Sequence, residues 1–134
     1  MTRLTNLFIL IAEDDQDDAE LVKECFEQNS SFDRVEVVQN GQELIDFLST
    51  SDVLPNVILT DINMPILDGI EALIVVSKHD LLSAIPAFIY STTINPVYEK
   101  KCKELNIKGF LIKPFNLKEF KLIPTKILNL LLQD

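Results

Sequence analysis

Asp61 is the first residue of this sequence whose place in the chain suggests chemistry. It follows an apolar run at residues 57–60 and precedes a turn that contains Pro65 and Gly69. The run predicts a buried strand, and in open parallel α/β sheets ligands bind at the carboxyl ends of the strands. Taken alone, an aspartate in this place is more often a structural turn residue than a nucleophile, so other segments must decide its role.

Polar side chains also follow three other short apolar runs. The runs are residues 7–12, 87–90 and 109–112, and the residues that come next are Glu13, Asp14, Asp15, Ser91 and Lys113. Each run is short, lacks strict alternation and is bounded by turn or charge signals, which predicts strands buried on both faces. If these strands are parallel, the polar groups and Asp61 converge on one edge of the sheet.

Acids, a hydroxyl and a lysine in one place indicate a site for a phosphoryl group. Carboxylates that lie close together repel one another, so the site needs a cation. With oxygen ligands only, Mg²⁺ is the natural ion, because it is commonly held by one or two carboxylates plus phosphate oxygens. Lys113 adds a positive point charge, and Asp61 can attack phosphorus in line to form an aspartyl phosphate.

Helical patterns separate the strands. We expect helices at residues 17–28, 42–48, 70–78 and 96–105, a further strand at 34–38, and a last helix from 117 towards 132 that Pro124 interrupts. Strand and helix alternate five times, with crossovers of a length that demands parallel neighbours. The sequence therefore predicts one α/β domain, a doubly wound five-stranded parallel sheet of flavodoxin-like order 2-1-3-4-5 with helices on both faces.

Composition excludes several classes of function. The 134 residues suffice for one domain, and a net charge of −9 argues against direct binding to nucleic acid. No apolar run approaches the roughly 18 residues of a membrane span and no signal-peptide pattern is present, so we expect a cytoplasmic protein without membrane insertion. Cys25 and Cys102 have no metal-binding spacing and are expected to be reduced packing residues.

In their order and spacing, these motifs resemble those of a two-component response regulator receiver domain of the stand-alone, chemotaxis type. The resemblance covers essentially residues 1–134, and it implies a receiver domain without an effector domain. The matching segments are Glu13-Asp14-Asp15, Asp61 with Met64-Pro65 and Asp68-Gly69, Ser91, and Lys113-Pro114-Phe115.

The resemblance implies a role for each residue of the metal site. Asp61 is the phosphoacceptor and a metal ligand, Asp14 ligates Mg²⁺ directly, and Glu13 assists through water. Asn63 offers its backbone carbonyl to the metal. Asp15 stays open as an additional ligand, because three acids stand in a row and only the first two align with the family's pair.

The resemblance also implies a switch. The hydroxyl of Ser91 turns towards the phosphoryl group, and Phe110 matches the aromatic that moves inward with it. Lys113 contacts the phosphoryl group, and its peptide bond to Pro114 is expected to be cis. Two features depart from the pattern: Thr92 stands where receivers usually carry a small residue, and Pro124 breaks the last helix.

The implied function is that of a response regulator in a histidine-to-aspartate phosphorelay. A histidine kinase or histidine phosphotransfer protein donates the phosphoryl group, and the modified state controls a protein partner that the sequence does not identify. Self-phosphorylation from a phosphodonor and slow self-dephosphorylation are expected, without turnover of external substrates. A homodimer is left open. The partner is expected to contact residues 96–110 differently in the phosphorylated and the unphosphorylated state. These residues include Lys100 and Lys101, which are expected on a solvent-facing side of a helix.

Three alternatives remain beside this function. The first is a phosphate shuttle in a multistep relay, in which Asp61 passes its phosphoryl group to another histidine. The second is an interaction module that keeps the fold without phosphorylation, against which Asp14, Asp61, Ser91 and Lys113 argue. The third is a metal-dependent phosphatase, which would need a second aspartate at the position of Asn63.

Overall fold

Five parallel strands form one sheet in the computed structural model, which describes residues 4–92, 95–105 and 107–133. The strand order is β2-β1-β3-β4-β5, so the expected flavodoxin-like topology is confirmed. The strands are β1 (Leu7–Ala12), β2 (Phe32–Val38), β3 (Val57–Thr60), β4 (Ala87–Ser91) and β5 (Gly109–Ile112).

Helices connect the strands, and their bounds lie within one or two residues of most predicted ones. They are α1 (Gln16–Glu27), α2 (Gly41–Thr50), α3 (Gly69–Ser77), α4 (Pro96–Glu104), α5 (Leu117–Phe120) and α6 (Ile123–Leu131), and a 3₁₀ turn at Leu82–Ala84 precedes β4. The last predicted helix is divided into α5 and α6, with Pro124 in the first turn of α6, where its missing N–H costs no helical hydrogen bond.

Short polar side chains fix where the helices begin. Asp15, Asn40, Asp68 and Asn116 each accept a hydrogen bond from the backbone N–H three residues later, and at Asp68 the Glu71 side chain completes a capping box. Asp15, Asn40 and Asn116 lie two to four residues after the strand that precedes them. Asp68 lies eight residues after β3, but the N–H of the next residue, Gly69, donates to the carbonyl of Ile62 near the end of that strand. The helix N-termini therefore lie at the same edge of the sheet as the carboxyl ends of the strands.

Hydrophobic side chains pack on both faces of the sheet. Alternate strand residues such as Leu10, Ile58 and Ile89 join helices α2 and α3 in one core cluster. Their neighbours Ile9, Leu59 and Phe88 join α1 and α6 in the other. Burial on both faces is why the central strands read as continuous apolar runs.

β5 differs from the sequence-based expectation of burial on both faces. β1, β3 and β4 are buried along their whole length, whereas β5 is half-buried and its Ile112 is 57% exposed. The prediction for β5 is wrong because β5 is an edge strand, paired with β4 alone. Within the described ranges, no helix has the length and apolar character needed to cross a membrane.

Gly69 brings the start of α3 against the backbone of Asp61. Its N–H donates to the carbonyl oxygen of Ile62 at 2.9 Å. A Cβ at this position would overlap the carbonyl oxygen of Asp61 and lie 2.9 Å from Oγ1 of Thr60. The absence of a side chain at Gly69 therefore lets the loop after β3 fold tightly behind Asp61.

We expect Gly69→Ala to lower the free energy of unfolding by about 3 kcal/mol, at the upper end of overpacking costs, because the backbone must move. Urea denaturation measures this change. Gly109→Ala is the matched control, since its Cβ would meet only side-chain atoms of Phe88 and Leu130, at 2.9 to 3.1 Å, and these can shift. An equal loss of unfolding free energy in Gly69→Ala and Gly109→Ala would contradict the conclusion that backbone contact makes Gly69 the more sensitive position.

Candidate functional site

The ends of four strands bring the predicted polar residues to one edge of the sheet. Glu13 follows β1, Asp61 follows β3, Ser91 ends β4 and Lys113 follows β5. All four are buried, although all are polar or charged. Asp14 and Asn63 lie beside them in the same loops and are exposed. Buried charges need partners, and the geometry around Lys113 supplies them.

Lys113 lies at the centre of this site. Its Nζ donates to Oε1 of Glu13 at 2.6 Å, to Oδ2 of Asp18 at 2.9 Å and to Oδ2 of Asp61 at 3.0 Å. Burial by itself would lower the pKa of Lys113, but the hydrogen bonds that it donates to these three carboxylates outweigh burial and hold the pKa above its ordinary value. The ammonium is therefore charged, and all three of its donors are engaged.

Glu13 is held by donors on both of its carboxylate oxygens. Oε1 accepts from Lys113 and from the hydroxyl of Tyr90, at 2.6 Å each, and Oε2 accepts from the backbone N–H of Asp15 at 3.1 Å. Burial raises the pKa of Glu13, while the bonds from Lys113 and Tyr90 act in the opposite direction. Burial and the neighbouring Glu13 raise the pKa of Tyr90 well above its ordinary value, so Tyr90 remains a proton donor.

Asp61 is fixed by its backbone and by both carboxylate oxygens. Its N–H donates to the carbonyl of Ala12 at 3.0 Å, and its own carbonyl accepts from Oγ1 of Thr60 at 2.8 Å. Oδ1 accepts from the N–H of Ile62 at 2.7 Å, and Oδ2 accepts from Lys113. The carboxylate is thus oriented before any ligand arrives.

Three acids of the site form a group suited to a metal ion. Glu13, Asp14 and Asp61 each offer a carboxylate oxygen, and these oxygens all lie within 4.8 Å of one another. A donor set of oxygens alone fits a hard divalent cation such as Mg²⁺. Asp15 is not part of this group, because its Oδ1 caps α1 by accepting from the N–H of Asp18 at 2.9 Å.

Phe110 lies away from the carboxylates, in β5. It pairs with Ile89 of β4, packs against the core cluster under α2 and α3, and lines an open cavity of about 380 Å³ beside α4, together with Cys102 and Ile107. Ser91 ends the strand next to it and is buried. The two residues expected to form a switch therefore lie on adjacent strands between the carboxylates and α4.

The cis form that the resemblance implied for the bond between Lys113 and Pro114 is wrong. The structure has no cis peptide bond in the part of the chain that it describes, which includes this bond. Trans is favoured by about 0.5–1 kcal/mol for a bond that precedes proline.

Two residues of the site escaped the sequence-based predictions. Asp18 falls within the helix predicted at residues 17–28 and had no predicted role, but it lies on the face of α1 that meets Lys113. Tyr90 belonged to an apolar run, and its hydroxyl bonds Glu13. A buried tyrosine usually finds a partner for its hydroxyl, so the burial expected for β4 was a signal that pointed to a polar neighbour.

The family follows from this geometry together with comparisons with known proteins. The model of the response regulator receiver domain family matches residues 9–123. The chain belongs to this family. The resemblance noted in the sequence is thereby confirmed, and so is the fold that it implied.

Individual receivers are similar over most of the chain. The response regulator Rcp1 of Synechocystis sp. is 30% identical over 121 residues, which cover 86% of this chain and 82% of Rcp1. The Mn²⁺-bound form of Rcp1 has a TM-score of 0.82 at 27% identity, covering 95% of both chains. The phosphorylated cyanobacterial phytochrome response regulator RcpA has a TM-score of 0.84 at 26% identity, covering 92% of this chain and 91% of its own.

Some relatives join a similar segment to an enzyme. A protein-glutamate methylesterase/protein-glutamine glutaminase of Methanococcoides burtonii is 31% identical over 124 residues. These cover 85% of this chain and 34% of that protein. The chain thus spans about a third of this relative, and the relative's enzymatic activity is not transferred to it.

Removal of the Tyr90 hydroxyl tests its hydrogen bond to Glu13. We expect Tyr90→Phe to lower the free energy of unfolding by about 1.5–3 kcal/mol, because a buried carboxylate loses a donor. Urea denaturation measures the change. Tyr98→Phe is the matched control, since Tyr98 is partly buried and its hydroxyl makes no hydrogen bond with the described part of the chain, and it should cost less than about 0.5 kcal/mol. An unchanged free energy of unfolding in Tyr90→Phe would show that the hydrogen bond to Glu13 adds nothing to stability.

Proposed function

We propose that Asp61 accepts a phosphoryl group from a histidine kinase or a histidine phosphotransfer protein, and that this modification controls binding to a protein partner. The family places the chain among the receivers of two-component signalling. The observation that carries the finer proposal is the pairing of Asp61 with Lys113 at 3.0 Å, inside a group of three acids at one edge of the sheet. A nucleophile, a cation and a potential metal site thus lie together.

The chemistry requires little beyond position and charge. A carboxylate oxygen of Asp61 attacks phosphorus, a P–O bond forms, and the electron pair of the P–N bond stays with the donor's imidazole nitrogen. Lys113 neutralises negative charge on the transferred group as a fixed cation. Hydrogen bonds join the backbone of Asp61 to the carbonyl of Ala12 and the hydroxyl of Thr60, and they hold the main chain of the nucleophile in place before the attack.

Mg²⁺ is the cofactor that this proposal requires. Asp14 and Asp61 would hold the ion, with Glu13 acting through water and Asn63 through its backbone carbonyl. When bound, the ion would neutralise charge on the phosphoryl oxygens. The oxygen donors of the three-acid group support this assignment, and the Mn²⁺-bound form of Rcp1 shows that a similar receiver binds a divalent cation.

Control of a partner needs two conformations that the partner distinguishes. We assign the change to the hydroxyl of Ser91 and the ring of Phe110, because they lie on adjacent strands between Asp61 and α4. The open cavity beside α4 offers space for movement of the Phe110 ring. Lys100, Lys101 and Lys103 are exposed on α4, and their charge favours an acidic protein surface as the partner.

Two asparagine variants test the metal site. In wild type, Mn²⁺ at about 100 times its Kd should raise the free energy of unfolding by about 2.7 kcal/mol. Asp14→Asn should weaken Mn²⁺ binding by more than about tenfold, since a carboxylate ligand is lost. Asp15→Asn keeps the helix cap, because asparagine caps as well as aspartate, and should change the Kd by less than about threefold.

Calorimetric titration measures both Kd values. An equal loss of Mn²⁺ affinity in Asp14→Asn and Asp15→Asn would place Asp15 among the metal ligands. An unchanged Kd in Asp14→Asn would exclude Asp14 as a ligand.

Intact mass tests the nucleophile. Incubation with acetyl phosphate or phosphoramidate and Mg²⁺ should add one phosphoryl group to wild type, because Asp61 is oriented and paired with Lys113. Asp61→Asn should add none, and chelation of Mg²⁺ should abolish the gain in wild type. Asp52→Asn is the control, since Asp52 is exposed between α2 and β3, at the opposite edge of the sheet.

Two results would count against the proposal. One is the absence of any gain in folded wild type with both donors. The other is a gain in Asp61→Asn equal to that of wild type, which would assign the phosphoryl group to another residue.

A further inference from the structure

Asp18 is a partner of Lys113 that the proposed chemistry does not use. It lies in the first turn of α1, and its Oδ2 accepts from Nζ of Lys113 at 2.9 Å. This bond is slightly shorter than the 3.0 Å bond from Lys113 to Asp61. Because an ammonium has three donors, Glu13, Asp18 and Asp61 together occupy all of them.

A phosphoryl group on Asp61 brings oxygens that also need donors. An aspartyl phosphate carries roughly twice the negative charge of the free carboxylate, so it attracts the ammonium of Lys113 more strongly than Asp61 does alone. Lys113 has no donor to spare for it while its three bonds persist. The donor that Asp61 now holds can pass to a phosphoryl oxygen, because the carboxylate of Asp61 loses its charge when it forms the acyl phosphate. A second bond from Lys113 to the phosphoryl group requires the release of Glu13 or Asp18.

Glu13 and Asp18 keep their charge when Asp61 is phosphorylated, and they differ in how easily they can be released. The Glu13 side chain is 0% exposed. The Asp18 side chain is 33% exposed. A buried carboxylate that loses its cation stays unpaired, whereas a partly exposed one is solvated by water. Of these two carboxylates, Asp18 is the one whose release costs less.

We infer that Asp18 is a positioning residue that competes with the phosphoryl oxygens for the ammonium of Lys113, and so sets how tightly the site holds a phosphoryl group. This inference rests on the proposed function of Asp61. Asp18 holds Lys113 in place while Asp61 is free, and it yields Lys113 when the phosphoryl group arrives. A site without Asp18 should therefore bind a phosphoryl group more tightly.

Beryllofluoride binding tests this competition without phosphoryl transfer, since this anion stands in for a phosphoryl group on an aspartate. In calorimetric titrations with saturating Mg²⁺, Asp18→Asn should lower the Kd for beryllofluoride by about fivefold relative to wild type, the effect of losing one partly exposed ion pair. Asp18→Glu keeps a carboxylate on the same turn and should stay within about twofold of wild type.

Asp17→Asn is the matched control for charge. Asp17 is the neighbouring residue of α1, is exposed, and forms no salt bridge within the described ranges. It removes the same charge from the same turn and should change the Kd for beryllofluoride by less than about twofold. The Kd for Mn²⁺, measured without beryllofluoride, should agree between Asp17→Asn and Asp18→Asn. Such agreement would show that the tighter beryllofluoride binding in Asp18→Asn acts through Lys113 and not through the metal site.

Several results would overturn the inference. Equal tightening in Asp17→Asn and Asp18→Asn would show an effect of net charge alone. Weaker binding in Asp18→Asn would show that Asp18 assists Lys113 instead of competing with the ligand. Tightening in Asp18→Glu equal to that in Asp18→Asn would exclude competition by the carboxylate. Absence of beryllofluoride binding in wild type would leave no phosphoryl group for Asp18 to compete with.

Failure of this inference is distinguishable from failure of the proposed function. Beryllofluoride binding requires the recognition site alone, whereas the mass gain with acetyl phosphate requires a reactive Asp61. A mass gain in wild type, with a Kd for beryllofluoride that is unchanged in Asp18→Asn, would overturn the inference and keep the function. Beryllofluoride binding that depends on Asp18, without any mass gain, would keep the competition for Lys113 and overturn the phosphorylation of Asp61.

Discussion

The buried ammonium of Lys113 is the interaction on which the site depends. Glu13 and Asp61 are buried beside each other, and two carboxylates so placed repel unless a cation lies between them. Lys113 bonds both, and it bonds Asp18 of α1 as well. One side chain from the end of β5 therefore joins the ends of β1 and β3 to the first helix, and its removal would leave buried charges unpaired.

The same arrangement leaves the site short of positive charge. The ammonium of Lys113 bonds three carboxylates, those of Glu13, Asp18 and Asp61, and Asp14 offers a fourth carboxylate within 4.8 Å of Glu13 and Asp61. The deficit favours a divalent cation, and it also makes the pairing of Lys113 sensitive to any further anion. The stability of the site and its proposed phosphoryl recognition thus depend on one set of contacts, in which Tyr90 donates to the buried carboxylate of Glu13.

β5 connects these charges with the surface proposed for a partner. It has four residues and lies at the edge of the sheet, where it is less buried than β1, β3 and β4. Phe110 lies in this strand beside the cavity next to α4, and Lys113 follows the strand at the charged edge. One short strand therefore joins Lys113 to Phe110, and so joins the charged edge to the cavity beside α4.

The sequence by itself determined the strand order and the meeting of Glu13, Asp61, Ser91 and Lys113 at one edge. Short apolar runs mark buried strands, and the crossover rule for parallel strands brings their carboxyl ends together. Only the tertiary structure decided the bond from Lys113 to Asp18, the bond from Tyr90 to Glu13, the partial exposure of β5 and the trans bond before Pro114. Those features depend on which side chains meet across separate elements and which strand lies at an edge, and local periodicity carries no information about either.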